Sequence, residues 1–557
     1  MYKSTVGAFK PYDPAATKPT DLATTIILNG STVDYIVRLE TGVINRAIYQ
    51  ISFLHTPGTL LPTPTSGTPG WNGALVYAFG GGCGAAYRQG RNTNNVLTNL
   101  DAAPDALDLG YAMASSTLNV LGNNCNDVTS AETAAMVKEH FVEQFGVPRH
   151  TIGAGGSGGS MQQHLIAQNY PGLLDGLLTG YSFPDTLTVV HYTAACPLLN
   201  AYFNGSNLTW APDQKTAVSG FAKYEMCSTA WTSFMPRWVS PLGTGCDAAI
   251  PRNVVYDPVT NPTGSRCSYF DNLVNVFGKD ASGAARRPLD NVGVQYGLKP
   301  FNAGLITAEQ FVDLNEKIGG LNADASVVPQ RMVADPESLR IAYQSGRVNE
   351  GVGLDAVPIL DTRSFTDANT PADVHTFHAT FKTRARLQAT NGSAANHVMW
   401  IAPTVGALGA DLATPTSPTR SMYRLALPVM EKWLTAIKSD ASSDPAPVKV
   451  VRNKPADAAD TCFDALMNKT VEPLVYEGGG HCGMTYRASG DPMLAAGEPL
   501  TGDILKCQRK PLVRTDYQQQ LTDVQWARLN VVFTEGVCDY SKSGVSQQRI
   551  TANWQSY

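Results

Sequence analysis

Apolar and polar residues alternate with a period of two over residues 31–39 and again over 47–54. That is the pattern of half-buried strands, and here of an early antiparallel pair. Residues 74–79 are instead continuously apolar, as a central strand covered on both faces requires, and they run into Gly80-Gly81-Gly82-Cys83-Gly84. The pattern then predicts a strand over 109–115, an amphipathic helix over 130–145 and a short buried strand over 147–153. A helix that opens at once follows over 160–168, then a strand over 176–180 that turns at Phe183-Pro184-Asp185. This order is that of a doubly wound α/β sheet. A polar, proline-containing arm, residues 1–22, precedes it.

Between 186 and 350 the alternation dissolves into irregular short helices carrying Cys196, Cys227, Cys246 and Cys267. It resumes with a strand at 357–360, a helix over 377–390, a strand at 398–401 and a long helix over 420–439. In that last helix Leu425, Val429, Trp433, Leu434 and Ile437 mark the packed face. The expected organisation is a catalytic core of residues 1–185 and 351–557, with a lid or cap insertion at 186–350 over its site. Residues 440–557 form a cysteine-containing, disulfide-bearing tail of the core.

With 43% hydrophobic and 16% charged residues in 557, the chain is globular. A net charge of −5 and the lack of any Lys/Arg run argue against nucleic acid as a partner. No apolar stretch reaches the roughly 18 residues that span a bilayer. The ten cysteines form no C-x-x-C and no zinc spacing, so structural disulfides account for them best. Residues 1–7 lack the features of a signal peptide. The expectation is therefore a secreted or periplasmic protein whose leader has been removed.

The stretch Gly155-Gly156-Ser157-Gly158-Gly159 fits G-x-S-x-G between a predicted strand and a predicted helix. That setting is the nucleophile elbow of α/β-hydrolases, where a sharp turn lifts a serine above the sheet. Ser157 is the expected nucleophile, and Ser160, on the first helical turn, is expected to cap. Oxyanion donors are expected from the backbone of Gly158 and of Gly81 and Gly82 after the third strand. The acid should follow a late strand: Asp367 is the choice, with Asp361 at the strand end as a partner for Arg363, and Asp373 and Asp411 as rivals. The segment 403–411, where the base would stand in the usual topology, has no histidine. The base is therefore His375, or alternatively His481, at the end of a strand-like run over 473–481. His140, His150, His164 and His191 are expected to be structural, His55 and His378 to lie on the surface, and His397 to be a distant candidate. A bridge between Cys83 and Cys125 would brace the oxyanion loop. The 186–350 cysteines would pair locally, and Cys462, Cys482, Cys507 and Cys538 among themselves.

Gly155 to Gln163, with 110–115 upstream and His481-Cys482-Gly483 downstream, resembles the tannase and feruloyl esterase branch of α/β-hydrolases. Members of that branch join a cysteine just before the serine to one just after the histidine. Gly156 occupies the first of those positions here, which counts against His481. Residues 35–49, 504–511 and 536–540 are similar to the DUF6351 group of exported bacterial hydrolases. The resemblance implies an α/β-hydrolase fold and export. The expected function is a serine hydrolase of carboxylic esters, aromatic or polyester-type, using a Ser-His-Asp acyl-enzyme route with no metal and no organic cofactor. The expected partner is a small-molecule or polymeric ester. An amidase or peptidase with the same triad, and a non-catalytic binding protein on this scaffold, are the alternatives. Trp210, Phe221, Tyr224, Trp231, Phe234 and Trp238 are expected to line the lid or to form its core.

Overall fold

The computed structural model describes residues 1–85, 96–97, 103–404 and 418–554. Asp411, one of the candidate acids, lies outside them. Ten strands form the central sheet: β1 (Val37–Ile44), β2 (Ala47–Leu54), β3 (Leu75–Gly80), β4 (Ala112–Val120), β5 (Thr151–Gly156), β6 (Gly176–Gly180), β7 (Ile359–Phe365), β8 (His397–Pro403), β9 (Thr461–Phe463) and β10 (Lys469–Val471). Their order across the sheet is β1-β2-β4-β3-β5-β6-β7-β8-β9-β10. β1 and β2 form the antiparallel hairpin, β2 pairs antiparallel with β4, and β4 through β9 run parallel. Strand order reverses around β3 and β4, so the ends of β3 and β5 meet beside one crevice.

The period-two logic of a doubly covered strand is visible in β3. Leu75, Tyr77 and Phe79 join an apolar cluster with Val137, Phe141 and Phe145 of helix α1 (Asp127–Phe145) and Ile166 of helix α2 (Gly158–Asn169). Val76 and Ala78 face the opposite cluster, completed by Ala426, Leu427, Met430, Trp433 and Leu434. Helix α3 (His378–Asn391) connects β7 to β8, and helix α4 (Pro418–Ser439) supplies those last five residues. Leu425, expected on the packed face of α4, is 48% exposed, because the stripe runs through Met422, Tyr423 and Ala426 one position away.

The expected strand over 473–481 does not form. Pro473 has no N–H to give a ladder, pairing ends at Val471, and Gly480–Thr485 is a short helix. The 186–350 segment is helical, including Thr186–Thr193, Ala195–Gly205, a π-helix at Met226–Trp231, Thr232–Val239 and Ala308–Lys317. Its apolar cluster also contains Met493, Leu505, Leu529 and Phe533 of the tail. All ten cysteines pair, as Cys83–Cys125, Cys196–Cys227, Cys246–Cys267, Cys462–Cys482 and Cys507–Cys538. These are the local and tail pairings expected. Among the described residues no helix is long and apolar enough to cross a membrane.

Candidate active site

Ser157 stands between the last residue of β5 and the first of α2, at φ 58° and ψ −122°. A non-glycine residue held there costs about 1–3 kcal/mol, so its surroundings must impose the conformation. They do so by close approach. A Cβ on Gly155 would lie 2.1 Å from the Phe79 carbonyl oxygen, and one on Gly159 would lie 2.5 Å from the same atom. The Ser157 N–H donates to the Gly180 carbonyl at 2.8 Å. Two buried glutamines of α2 tighten the turn. Gln162 donates to Gly80 O at 2.9 Å and Gln163 to Gly155 O at 3.0 Å. Ser160 is fully buried, donates to Ser157 O at 2.6 Å and accepts from the Phe183 N–H at 3.1 Å. It buttresses the turn.

The Gly81–Gly82 backbone lies directly against this elbow. A Cβ on Gly81 would sit 3.3 Å from Ser157 Cβ and 3.6 Å from the Gly158 nitrogen, and one on Gly158 would collide with Gly82 O at 2.5 Å. Side chains are thus excluded from the gap between the two glycine segments. Gly158 opens α2, where the first N–H groups have no partner within the helix and the dipole favours negative charge. Cys83, the next residue after Gly82, is bonded to Cys125.

A cavity of about 240 Å³ opens beside Ser157. Gly81, Gly82, Met161, Tyr181, Phe183, Val374 and His375 line it, and Trp231, Phe234 and Trp238 reach it from the 186–350 segment. The other three aromatics singled out there, Trp210, Phe221 and Tyr224, pack in the apolar cluster that the 186–350 segment shares with the core and the tail.

His375 lies on the loop joining β7 to α3. Its Nδ1 is 2.6 Å from Asp373 Oδ1, which also accepts the His375 backbone N–H at 2.9 Å. Its Nε2 is buried with no hydrogen-bond partner among the described residues. Burial works to raise the Asp373 carboxyl, but its electrostatic interaction with His375, these two hydrogen bonds and the nearby Arg363 outweigh it and hold Asp373 below its ordinary value. Asp367 is placed elsewhere. Its carboxylate accepts the Phe377 N–H at 2.8 Å and the Ser489 hydroxyl at 2.7 Å. It is Asp373, not Asp367, that touches His375. Asp361 is buried beside His397, 3.9 Å away, and Arg363 gives its donors to carbonyls of residues 375 and 376.

His481 is exposed on the Gly480–Thr485 helix beyond β10, outside the cavity lining. His378, expected at the surface, is fully buried 3.2 Å from Asp491 of the tail. His150 and His164 are buried, and desolvation lowers both to about 4. Tyr181, Phe183 and Met161 were not singled out from the sequence. The signal available was their place, just past β6 and on the first turn of α2, where a doubly wound sheet puts its site.

Strand order, strained serine and abutting glycine loop together define an α/β-hydrolase. The chain belongs to the DUF6351 family, a tannase-like family of unknown function, whose model matches residues 1–549. Solved structures similar to it include feruloyl esterase B from Aspergillus oryzae (13% identity, 70% of this chain and 79% of that one, TM-score 0.32). Others are esterase E22 (12%, 72% and 97%, 0.25) and an esterase from Aspergillus oryzae (12%, 65% and 70%, 0.28). No curated protein matches the chain.

Proposed function

We propose that this chain is an exported serine hydrolase of carboxylic esters with apolar or aromatic acyl groups. The observation that carries the reading is the shared cavity: Ser157 in its strained turn and His375, with a buried Nε2 unpaired among the described residues, both line it, with Asp373 on the Nδ1 side of the ring. His375 Nε2 takes the proton from Ser157 Oγ as that oxygen attacks the ester carbonyl. The tetrahedral oxyanion is met by the N–H of Gly158 and of Gly81 or Gly82. Collapse expels the alcohol, protonated by His375, and leaves an acyl-enzyme. Water, deprotonated by the same nitrogen, then releases the acid. Asp373 fixes the tautomer in which Nδ1 carries the proton and Nε2 is free to accept. Five disulfides support export, since such bonds persist in oxidising compartments.

The test is hydrolysis of a nitrophenyl ester, with a fluorophosphonate as a label for an activated serine. Ser157→Ala is expected to abolish both turnover and labelling while the protein stays folded. Turnover that survives this change overturns the reading. An unlabelled wild-type protein would point to a binding function on the scaffold. Matched ester and amide substrates separate an esterase from a peptidase.

A further inference from the structure

We infer that Arg363 and Thr366 are positioning residues for the base, gripping the peptide carbonyl of His375 so that its imidazole is held from the β7 loop in the cavity that Ser157 also lines. The inference rests on His375 being that base. The sequence from 404 to 421, after β8, contains no histidine. The base is instead carried by residues 366–377, a connection with no regular structure of its own. A side chain on such a loop makes a poor catalyst unless its backbone is fixed, because misplacement by about 1 Å costs on the order of a hundredfold.

The structure supplies the fixation at every handle of the residue. Asp373 takes the His375 N–H and its Nδ1. On the other side of Cα, Arg363 Nη2 and Thr366 Oγ1 both donate to the His375 carbonyl oxygen. Arg363 Nη1 continues to the next carbonyl, Thr376 O at 3.2 Å, and to Thr380 Oγ1 at 2.9 Å on α3. Asp367 then holds the Phe377 N–H. Three successive residues are thus tied to the end of β7, and of His375 only Nε2 remains without a partner.

Arg363 is suited to the task because a planar fork can serve two carbonyls at once, which a lysine cannot reproduce. It is 1% exposed, with its guanidinium over the rings of Phe377 (5.3 Å) and Tyr181 (5.9 Å). A charge so deep needs compensation, and Asp367, Asp361 and Asp373 surround it.

Thr366→Val removes one hydroxyl and keeps the shape. It is expected to lower kcat about ten- to a hundredfold, slow fluorophosphonate labelling in the same ratio, and leave KM unchanged. Arg363→Lys should show the same split, and more severely. The decisive measurement repeats Thr366→Val in a His375→Ala background. A residue that acts through the imidazole has nothing left to position there, so the cost should vanish. If the cost persists undiminished, or Thr366→Val and folded Arg363→Lys keep wild-type kcat, the clamp is overturned. His375→Ala alone tests the underlying reading: full turnover in that variant removes His375 as the base whatever the clamp variants do.

Discussion

A histidine on a loop can act as a base only if one ring nitrogen is occupied and the other is free, and for His375 the first condition is met by Asp373. Asp373 binds its Nδ1 at 2.6 Å, and no described residue binds its Nε2. Asp373→Asn keeps the shape but favours the opposite tautomer, and is expected to lower kcat by about 10³–10⁴. Asp367→Asn should cost less than about tenfold, because an amide oxygen can still accept the Phe377 N–H. Steady-state kinetics of the two variants on one ester rank them, and the reverse ranking would give the orienting role to Asp367. The sequence made Ser157 and the two glycine segments legible, because their meaning lies in local spacing. It favoured Asp367 because that residue falls where a strand, a short turn and an aspartate succeed one another. What brings Asp373 forward is a turn in which a carboxylate accepts the N–H two residues on. That habit of aspartate is local, but nothing short of the folded loop shows that the same carboxylate also meets the ring.

At the scale of elements, two segments bring parts of the cavity from far along the chain. The Gly80–Gly84 loop follows β3 and is tied through Cys83 to Cys125, just after β4. Replacing both cysteines by serine should cost about 2–4 kcal/mol of stability and, separately, loosen the Gly81 and Gly82 donors. The expected signature is a lower kcat with KM little changed, measured well below the melting temperature. A loss of stability with unaltered kcat would make the bridge purely structural. The second segment is the π-helix Met226–Trp231, whose Cys227 is bonded to Cys196 and which sets Trp231 against Phe183, 6.0 Å between ring centroids. Extra residues in a helix of this kind re-aim a side chain. Trp231, 2% exposed, touches both the cap core and the cavity. Trp231→Ala is expected to raise activity on bulkier acyl chains relative to short ones. A uniform fall across chain lengths, with a lowered melting temperature, would assign Trp231 to packing alone. Sequence pattern found the parallel strands readily, since burial on both faces leaves continuous apolar runs. It overextended the run at 473–481, where Pro473 and three glycines carry no pairing.

For the whole molecule, the decisive element is α3, whose His378 meets both the 186–350 segment, at Tyr192 and Phe221, and Asp491 of the tail. His378, Lys382 and Arg386 recur every fourth residue along it. The folded chain covers that stripe. Asp491 of the tail meets His378 at 3.2 Å and Lys382 at 2.6 Å, while Asp185, the N-cap of the helix Thr186–Thr193, meets Arg386 at 2.7 Å. Pairing across such distances in sequence leaves no periodic trace, which is why His378 was expected outside. The same buried region holds Glu498, one of whose carboxylate oxygens has no hydrogen-bond partner. Desolvation, with Asp491 and Asp503 adding to it against Lys382 and Arg386, raises its pKa from an ordinary 4.5 to about 8. The sign of the consequence follows. Between those values the native carboxyl keeps a proton that the unfolded chain has lost, so its contribution is complete only below 4.5 and is lost as pH rises through about 8. The slope is about 1.4 kcal/mol per pH unit while only the native form is protonated. Glu498→Gln cannot ionise and should be spared this loss. Denaturant melts at several pH values from 5 to 9 should therefore show the variant gaining on the wild type steadily up to about pH 8. A gap that does not change with pH would mean that Glu498 is already ionised in the native protein.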